Sequence, residues 1–205
     1  ASMAPSMAVV RRIKRLFDIV VAAIGMAAFA IPAVLIAAAI KLSAPRSPVF
    51  YAQARTGRFG VVFRMHKFRT MVVGAEAAGE PVWSPANDPR VTWIGRILRR
   101  FRLDEIPQLW NIMRGEMSVV GPRPERPEIA GALANKIPHY RERENAPPGL
   151  TGWAQVRYPY VDNVNDVARK LEFDLYYIKN LSIRLDIQII LRTVRIVLFG
   201  KERSV

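Results

Sequence analysis

The chain has 205 residues, room for one domain with a sizeable core plus an appendage. Lys and Arg total 31 against 17 Asp and Glu, a net charge of +14, which calls for an anionic partner: phosphorylated substrates, lipid headgroups or nucleic acid. Cysteine is absent, which excludes disulfides, thiolate chemistry and Cys-based metal sites, and His66 and His139 lie too far apart to suggest a zinc site.

Ile19 to Ile40 is a run of 22 residues without a charged or polar side chain. As a straight helix it would measure about 33 Å, against a hydrocarbon core of about 30 Å. This reads as a membrane segment. A secretory signal does not fit, because the run is too long and no small-residue cleavage site leads into a polar start. Arg11, Arg12, Lys14 and Arg15 precede the run, and Lys41 and Arg46 follow it. Positive charge marks the cytoplasmic side, and here both flanks are positive. Pro32 removes the helical hydrogen bond to the Ala28 carbonyl. Two geometries stay open on these residues. One is a kinked helix that spans. The other turns back at Pro32, so that both ends leave by the same face.

Val49–Ala54 and Val61–Met65 read as strands of a hairpin around Thr56-Gly57-Arg58-Phe59-Gly60. Lys67 and Arg69 follow and could reach a phosphate or form a solvated rim. Gly74 to Asn87 reads as a loop with a short helix. Asn87-Asp88-Pro89-Arg90 reads as a turn and cap for a helix through Val91, Ile94, Ile97, Leu98 and Phe101.

That helix runs through Arg96, Arg99, Arg100 and Arg102 into Asp104-Glu105, and Pro107 then marks the start of another helix. The two carboxylates thus fall at or just before a helix N-terminus, where partial positive charge favours anions. A carboxylate pair among arginines suits magnesium and a phosphorylated substrate. It also suits a plain N-capping Asp with surface charges around it.

Gly115 ends the second helix. In Gly121-Pro122-Arg123-Pro124, prolines on both sides stiffen the backbone of an arginine whose planar fork fits phosphate. An exposed Arg on a Pro-rich connector is the plainer reading. Glu128 to Ile137 is a helix stopped by Pro138, and Pro147-Pro148-Gly149-Leu150-Thr151-Gly152 is a second rigid loop. Asp166–Lys179 has helical apolar spacing. Ile183–Phe199 is a helix with Ile183, Ile187, Ile190, Val194 and Val197 on one face and Arg184, Gln188, Arg192 and Arg195 on another. Such a helix suits a membrane interface or packs on the core.

Several stretches together resemble the bacterial sugar transferase family, the monotopic phosphoglycosyl transferases that act on polyprenyl phosphate. They are Lys14-Arg15-Leu16-Phe17-Asp18, Lys67-Phe68-Arg69-Thr70-Met71, Asp88-Pro89-Arg90-Val91-Thr92 and Leu103-Asp104-Glu105-Ile106-Pro107-Gln108. Val119-Val120-Gly121-Pro122-Arg123-Pro124, Pro148-Gly149-Leu150-Thr151-Gly152-Trp153-Ala154-Gln155-Val156, Asp174-Leu175-Tyr176-Tyr177 and Leu185-Asp186 continue the series in order.

The resemblance implies transfer of a sugar 1-phosphate from a UDP-sugar to undecaprenyl phosphate, with release of UMP. It implies a mainly helical α+β fold with a re-entrant membrane helix hairpin broken at Pro32, a β-hairpin and amphipathic interfacial helices. The division is then 1–10 as a disordered or artificially added terminus, 11–42 as the re-entrant helix, and 43–205 as a catalytic domain on the cytoplasmic face of the bacterial inner membrane. Asp104 is the implied nucleophile and a ligand of Mg2+, with Glu105 beside it. Arg123, Lys67 and Arg99 are the implied phosphate binders, and Asp174 is a further candidate. Phospholipids are implied partners, and homo-oligomerisation stays open. The sequence departs from the family at Ile31, where many relatives are polar, and at Arg157-Tyr158-Pro159-Tyr160, a region that bears on sugar choice.

Two rival readings remain beside this one. A basic membrane-bound binding module without chemistry would tolerate loss of Asp104. A nucleic-acid binder is disfavoured by the apolar run and by the lack of a groove-reading motif.

Overall fold

A computed structural model describes residues 7–75, 88–158 and 164–199, so the loop expected over 74–87 falls almost wholly outside the described residues. Over these residues the chain is a mainly helical α+β fold with two small two-stranded sheets.

Helix α1 (Met7–Ala28) begins before the boundary expected at residue 11, and α2 (Ala30–Ser43) follows it after a bend of 59°. The break falls at Phe29, whose φ of −97° and ψ of 8° leave the helical region, rather than at Pro32 itself. Proline explains the offset. Pro32 has no N–H to give Ala28, so the ladder is interrupted a turn upstream. It resumes when the Ala33 N–H donates to the Phe29 carbonyl (2.8 Å). Among the described residues no single helix is long and apolar enough to cross a membrane, while the bent pair taken together is.

Strands β1 (Phe50–Thr56) and β2 (Val62–Phe68) form the expected antiparallel hairpin, with Phe50 opposite Phe68 and Tyr51 opposite Lys67. Both strands run past the expected ends. In β2, Phe63 and Met65 are buried on one face. Side chains alternate along a strand, so Lys67 shares that face, and Phe68 turns to the other. There Phe68 packs with Ile40 of α2 and with Ile94 and Leu98 of α3 (Trp93–Arg100). The cap of α3 is Thr92, whose hydroxyl accepts from the Gly95 N–H (3.0 Å). Asp88 instead closes a local turn, accepting from the Arg90 N–H (2.9 Å).

Helix α4 (Gln108–Arg114) ends at Gly115, whose φ of +84° suits glycine. Asn111 stitches α4 to β2: its carbonyl oxygen accepts from the His66 N–H (3.0 Å) and its amide donates to the Arg64 carbonyl (2.7 Å). Arg15 of α1 donates to the last carbonyls of α4, Ile112 (2.6 Å) and Met113 (2.8 Å).

Strand β3 (Ser118–Val120) pairs in parallel with β4 (Gly149–Thr151), a pairing absent from the sequence expectations. Between them lies α5 (Pro127–Lys136), and α6 (Trp153–Arg157), α7 (Val164–Lys179) and α8 (Ile183–Phe199) follow. The main core gathers Ala22 of α1, Met65 of β2, Ile112 of α4, Val120 of β3, Tyr177 of α7 and Ile189 of α8.

Helix α8 meets the core through Leu185, Asp186 and Ile189, and leaves Ile187, Leu191, Val194 and Leu198 exposed. Of the expected apolar face only Ile190 packs against the main core, while Ile187 and Val194 stay exposed. Large apolar side chains are also exposed on α1 and α2 (Leu16, Ile24, Ile31, Val34, Leu35), on α3 (Trp93, Ile97) and on α4 (Trp110).

Candidate active site

The site is built where a turn between α3 and α4 lies against β2. Arg102 opens that turn in the left-handed region, at φ +55° and ψ 22°. A non-glycine residue held there is strained and persists only where its surroundings demand it. The 3-10 turn Leu103–Glu105 follows, and Pro107 leads into α4, so the carboxylates do lie just before a helix start.

Both carboxylates are buried, each residue being 7% exposed. Their surroundings differ. Glu105 is ringed by three cations: Lys67 Nζ at 3.3 Å, Arg123 Nη1 at 3.6 Å and Arg102 Nη1 at 3.7 Å. Burial pushes the Glu105 carboxyl up, but Lys67, Arg123 and Arg102 together outweigh it and hold it below its ordinary range. Asp104 has no ion pair among the described residues. Burial raises its pKa, Glu105 adds to the rise, and the charges of Lys67 and Arg99 oppose it. Adjacent carboxylates thus diverge in character: Glu105 is a fixed, neutralised anion, and Asp104 is a more basic carboxylate with no ion pair among the described residues. Burial also lowers the Lys67 pKa, against the pull of Glu105.

Arg99 lies on α3, where its Nε donates to the Thr70 hydroxyl (2.9 Å). The Thr70 carbonyl in turn accepts from the Thr92 N–H (3.0 Å) and hydroxyl (3.2 Å). A Cβ at Gly95 would stand 2.0 Å from that same carbonyl, so only glycine lets α3 come this close.

Arg123 arrives from the end of β3. Its loop is packed backbone on backbone. A Cβ at Gly121 would lie 2.3 Å from the Pro147 carbonyl, one at Gly149 2.1 Å from the Gly121 nitrogen, and one at Gly152 2.2 Å from the Gly121 carbonyl. The glycines of the two rigid loops are therefore one interlocked contact. It fixes Arg123 relative to β4.

A family model described as bacterial sugar transferase matches residues 9–200. The chain belongs to the bacterial sugar transferase family. It is 40% identical over 188 residues to a UDP-N-acetylgalactosamine-undecaprenyl-phosphate N-acetylgalactosaminephosphotransferase of Aeromonas hydrophila, covering 92% of this chain and 44% of that protein. It is 42% identical to a UDP-glucose:undecaprenyl-phosphate glucose-1-phosphate transferase of Caulobacter vibrioides, over 88% of this chain and 68% of that protein. To a protein of that same description from Escherichia coli it is 39% identical, over 93% of this chain and 41% of the relative. The chain thus spans less than half the length of two of these relatives, and they carry different sugars.

Of the residues expected at the site, Lys67 and Arg123 meet Glu105 directly, and Asp104, next to Glu105 in the chain, feels the charges of Lys67 and Arg99. Asp174 does not pair with either carboxylate. It lies on α7, ion-paired with Arg143 (2.8 Å). Arg102 was not expected in the ring around Glu105, although its place three residues before Glu105 could have suggested it. Arg143 and Arg55, whose side chains donate to the Arg123 and Pro124 carbonyls, and Tyr140, which accepts from Arg143, were also not anticipated, because no local pattern links them to Arg123. Two buried donors without a partner among the described residues, Arg69 Nη1 and Gln108 Nε2, lie just after Lys67 and Asp104 in the chain. Buried donors of that kind call for a ligand or water.

The donor set also bears on magnesium. Among the described residues no group of three or more His, Cys, Asp or Glu could hold a metal ion. Mg2+ does not need one, since it commonly takes one or two carboxylates and completes its shell with substrate phosphates and water. Asp104 fits that mode, and Glu105, committed to three cations, fits it less well.

Proposed function

We propose that this chain transfers a sugar 1-phosphate from a UDP-sugar to undecaprenyl phosphate and releases UMP. The observation that carries the reading is the buried Asp104-Glu105 pair, in which three cations surround Glu105 and Asp104 has no ion pair among the described residues. The undecaprenyl-phosphate phosphotransferases it resembles support the reaction class.

In this mechanism an Asp104 carboxylate oxygen attacks the β-phosphorus of the donor. A new P–O bond forms to Asp104, the bond from the β-phosphorus to the bridging oxygen breaks, and UMP leaves with that oxygen. The phosphate of the lipid then attacks the same phosphorus, and the Asp104 carboxylate departs. Carboxylates form covalent intermediates of this type. Glu105 keeps Lys67 and Arg123 gathered beside the nucleophile, so that cations stand ready for the charge spread over the phosphoryl oxygens. Arg123 and Lys67 hold the donor phosphates, and Arg99 offsets the charge of Asp104. Mg2+ held by Asp104 and the diphosphate would offset the repulsion between carboxylate and phosphate.

The exposed apolar residues of α1 and α2, α3 and α8 suit a monotopic seating in the bacterial inner membrane. The bent pair dips in and returns, and phospholipids cover it. The catalytic part then faces the cytoplasm, where both basic flanks lie.

The test is UMP release from a panel of UDP-sugars, with and without undecaprenyl phosphate, for the wild type and Asp104→Asn. The expected result is lipid-dependent turnover on one donor, lost in a folded Asp104→Asn, with a near-stoichiometric burst when lipid is omitted. Substantial turnover by Asp104→Asn would defeat the nucleophile assignment. No release from any donor would favour a membrane module without chemistry.

A further inference from the structure

Arg123 is held at an unusual number of points. Four successive carbonyls around it each accept a hydrogen bond. Pro122 accepts from the Gly149 N–H (2.9 Å), Arg123 from Arg143 Nη2 (2.9 Å), Pro124 from Arg55 Nη1 (3.1 Å), and Glu125 from the Thr56 N–H (2.8 Å). Three of these clamps tie the loop to neighbouring strands. The second is different, because Arg143, unlike Arg55, reaches the loop from outside any strand and is itself held by a buried carboxylate.

Arg143 lies in the 3-10 segment Tyr140–Asn145, and each of its three guanidinium nitrogens donates a hydrogen bond. Nε and Nη2 both reach Asp174 Oδ2, at 3.0 and 2.8 Å, and Nη1 donates to the Tyr140 hydroxyl (2.9 Å). Arg143, Asp174 and Tyr140 are all buried. A buried ion pair is a poor source of stability, since apolar residues of like volume often do as well or better. Its worth lies in direction: a planar guanidinium locked on two sides can present its other Nη2–H at only one angle. Here that N–H meets the Arg123 carbonyl, and the side chain of Arg123 meets Glu105 at 3.6 Å.

We infer that Arg143, oriented by Asp174 and Tyr140, is a positioning residue for Arg123. It sets where the Arg123 guanidinium stands relative to the donor phosphate. Asp174 then serves the reaction at two removes and touches no substrate. This rests on the phosphate-holding role proposed for Arg123. Loss of the clamp lets Arg123 relax by a fraction of an ångström to an ångström, and misplacement of that size costs roughly tenfold to a hundredfold in rate.

The experiment is a double-mutant cycle on steady-state UMP release with the full chain in membrane-mimetic micelles. The variants are Arg143→Lys, Arg123→Ala and the pair. Lysine keeps the charge beside Asp174 but cannot fork to Tyr140 and the Arg123 carbonyl together. The expected result is a loss of about tenfold or more in kcat/KM for Arg143→Lys, and no further loss when it is added to Arg123→Ala. A positioning role acts only through Arg123, so the two losses overlap. A purely structural role multiplies them, and multiplying losses would overturn the inference, as would wild-type kinetics in Arg143→Lys. If Arg143→Lys melts below the assay temperature, Tyr140→Phe carries the same cycle, because it removes one orienting bond and leaves the ion pair. Its loss should likewise vanish in the Arg123→Ala background, and persistence there sinks the relay. Arg123→Ala measured alone separates the two readings. Normal kcat and KM in that variant defeats the phosphate-holding role itself, whereas a large loss with multiplying partners defeats only the relay.

Discussion

Replacing Lys67 with Met tests whether the cation ring governs Glu105. At 3.3, 3.6 and 3.7 Å, Lys67, Arg123 and Arg102 attract Glu105 to similar extents, each by about 5 kcal/mol before desolvation at an effective dielectric of about 20. Solvent discounts the three unequally. The Lys67 side chain is 19% exposed, against 34% for Arg123 and 42% for Arg102, so its share survives screening best. Methionine keeps the packing volume and removes the charge. Two arginines still neutralise Glu105, and burial already disfavours the Lys67 charge, so stability should change by no more than about 1 kcal/mol. Transition-state stabilisation should fall by roughly 2 to 4 kcal/mol, or about 30-fold to 1,000-fold in kcat/KM. The pH dependence has a definite sign. Asp104 must be ionised to attack, burial raises its pKa and Lys67 opposes that rise, so Asp104 rather than Glu105, whose pKa is lowered, sets the acid limb. Without Lys67 the Asp104 pKa rises further, and the acid limb of the kcat/KM profile moves to higher pH. The assay is UMP release across a pH series, with thermal unfolding as the control for folding. Turnover within threefold of wild type and an unmoved acid limb would refute the reasoning.

Three further outcomes are expected. Asp186→Asn strands Lys14, whose Nζ lies 2.7 Å from Asp186 and whose other carboxylate, Asp18, is 3.7 Å away. The loss should be about 3 to 5 kcal/mol, and a thermal melt within about 2 °C of wild type contradicts it. Chelating divalent ions should stop turnover and Mg2+ should restore it, whereas activity that persists in EDTA removes magnesium from the mechanism. Because the chain has no native cysteine, Val9→Cys and Arg46→Cys can be labelled singly in sealed vesicles. Both should react from one side of the membrane, and labelling from opposite sides means the bent pair spans.

Much of this protein is written locally in its sequence. The 22-residue apolar run, the interrupting Pro32 and the spacing of apolar residues in α7 are properties of neighbouring residues; the run became a helix pair bent at Phe29, a turn before Pro32, and the α7 spacing became a helix. The Asp104-Glu105 pair and the arginine before Pro124 are legible for the same reason. What the tertiary structure decided is everything set by contacts across the chain. Strands β3 and β4 have three residues each, too few for a period, and their pairing depends on interlocked glycines. Lys67 turns toward Glu105 because β2 continues to Phe68 and carries the alternation with it. Helix α8 presents Leu185 and Ile189 inward because Asp186 must meet Lys14 and Tyr177 in the same buried place. The destination of Asp174 is the plainest case. A lone carboxylate on a helix face has no local signal for its partner, and only the approach of the 3-10 segment to α7 gives it Arg143 rather than the site of Asp104.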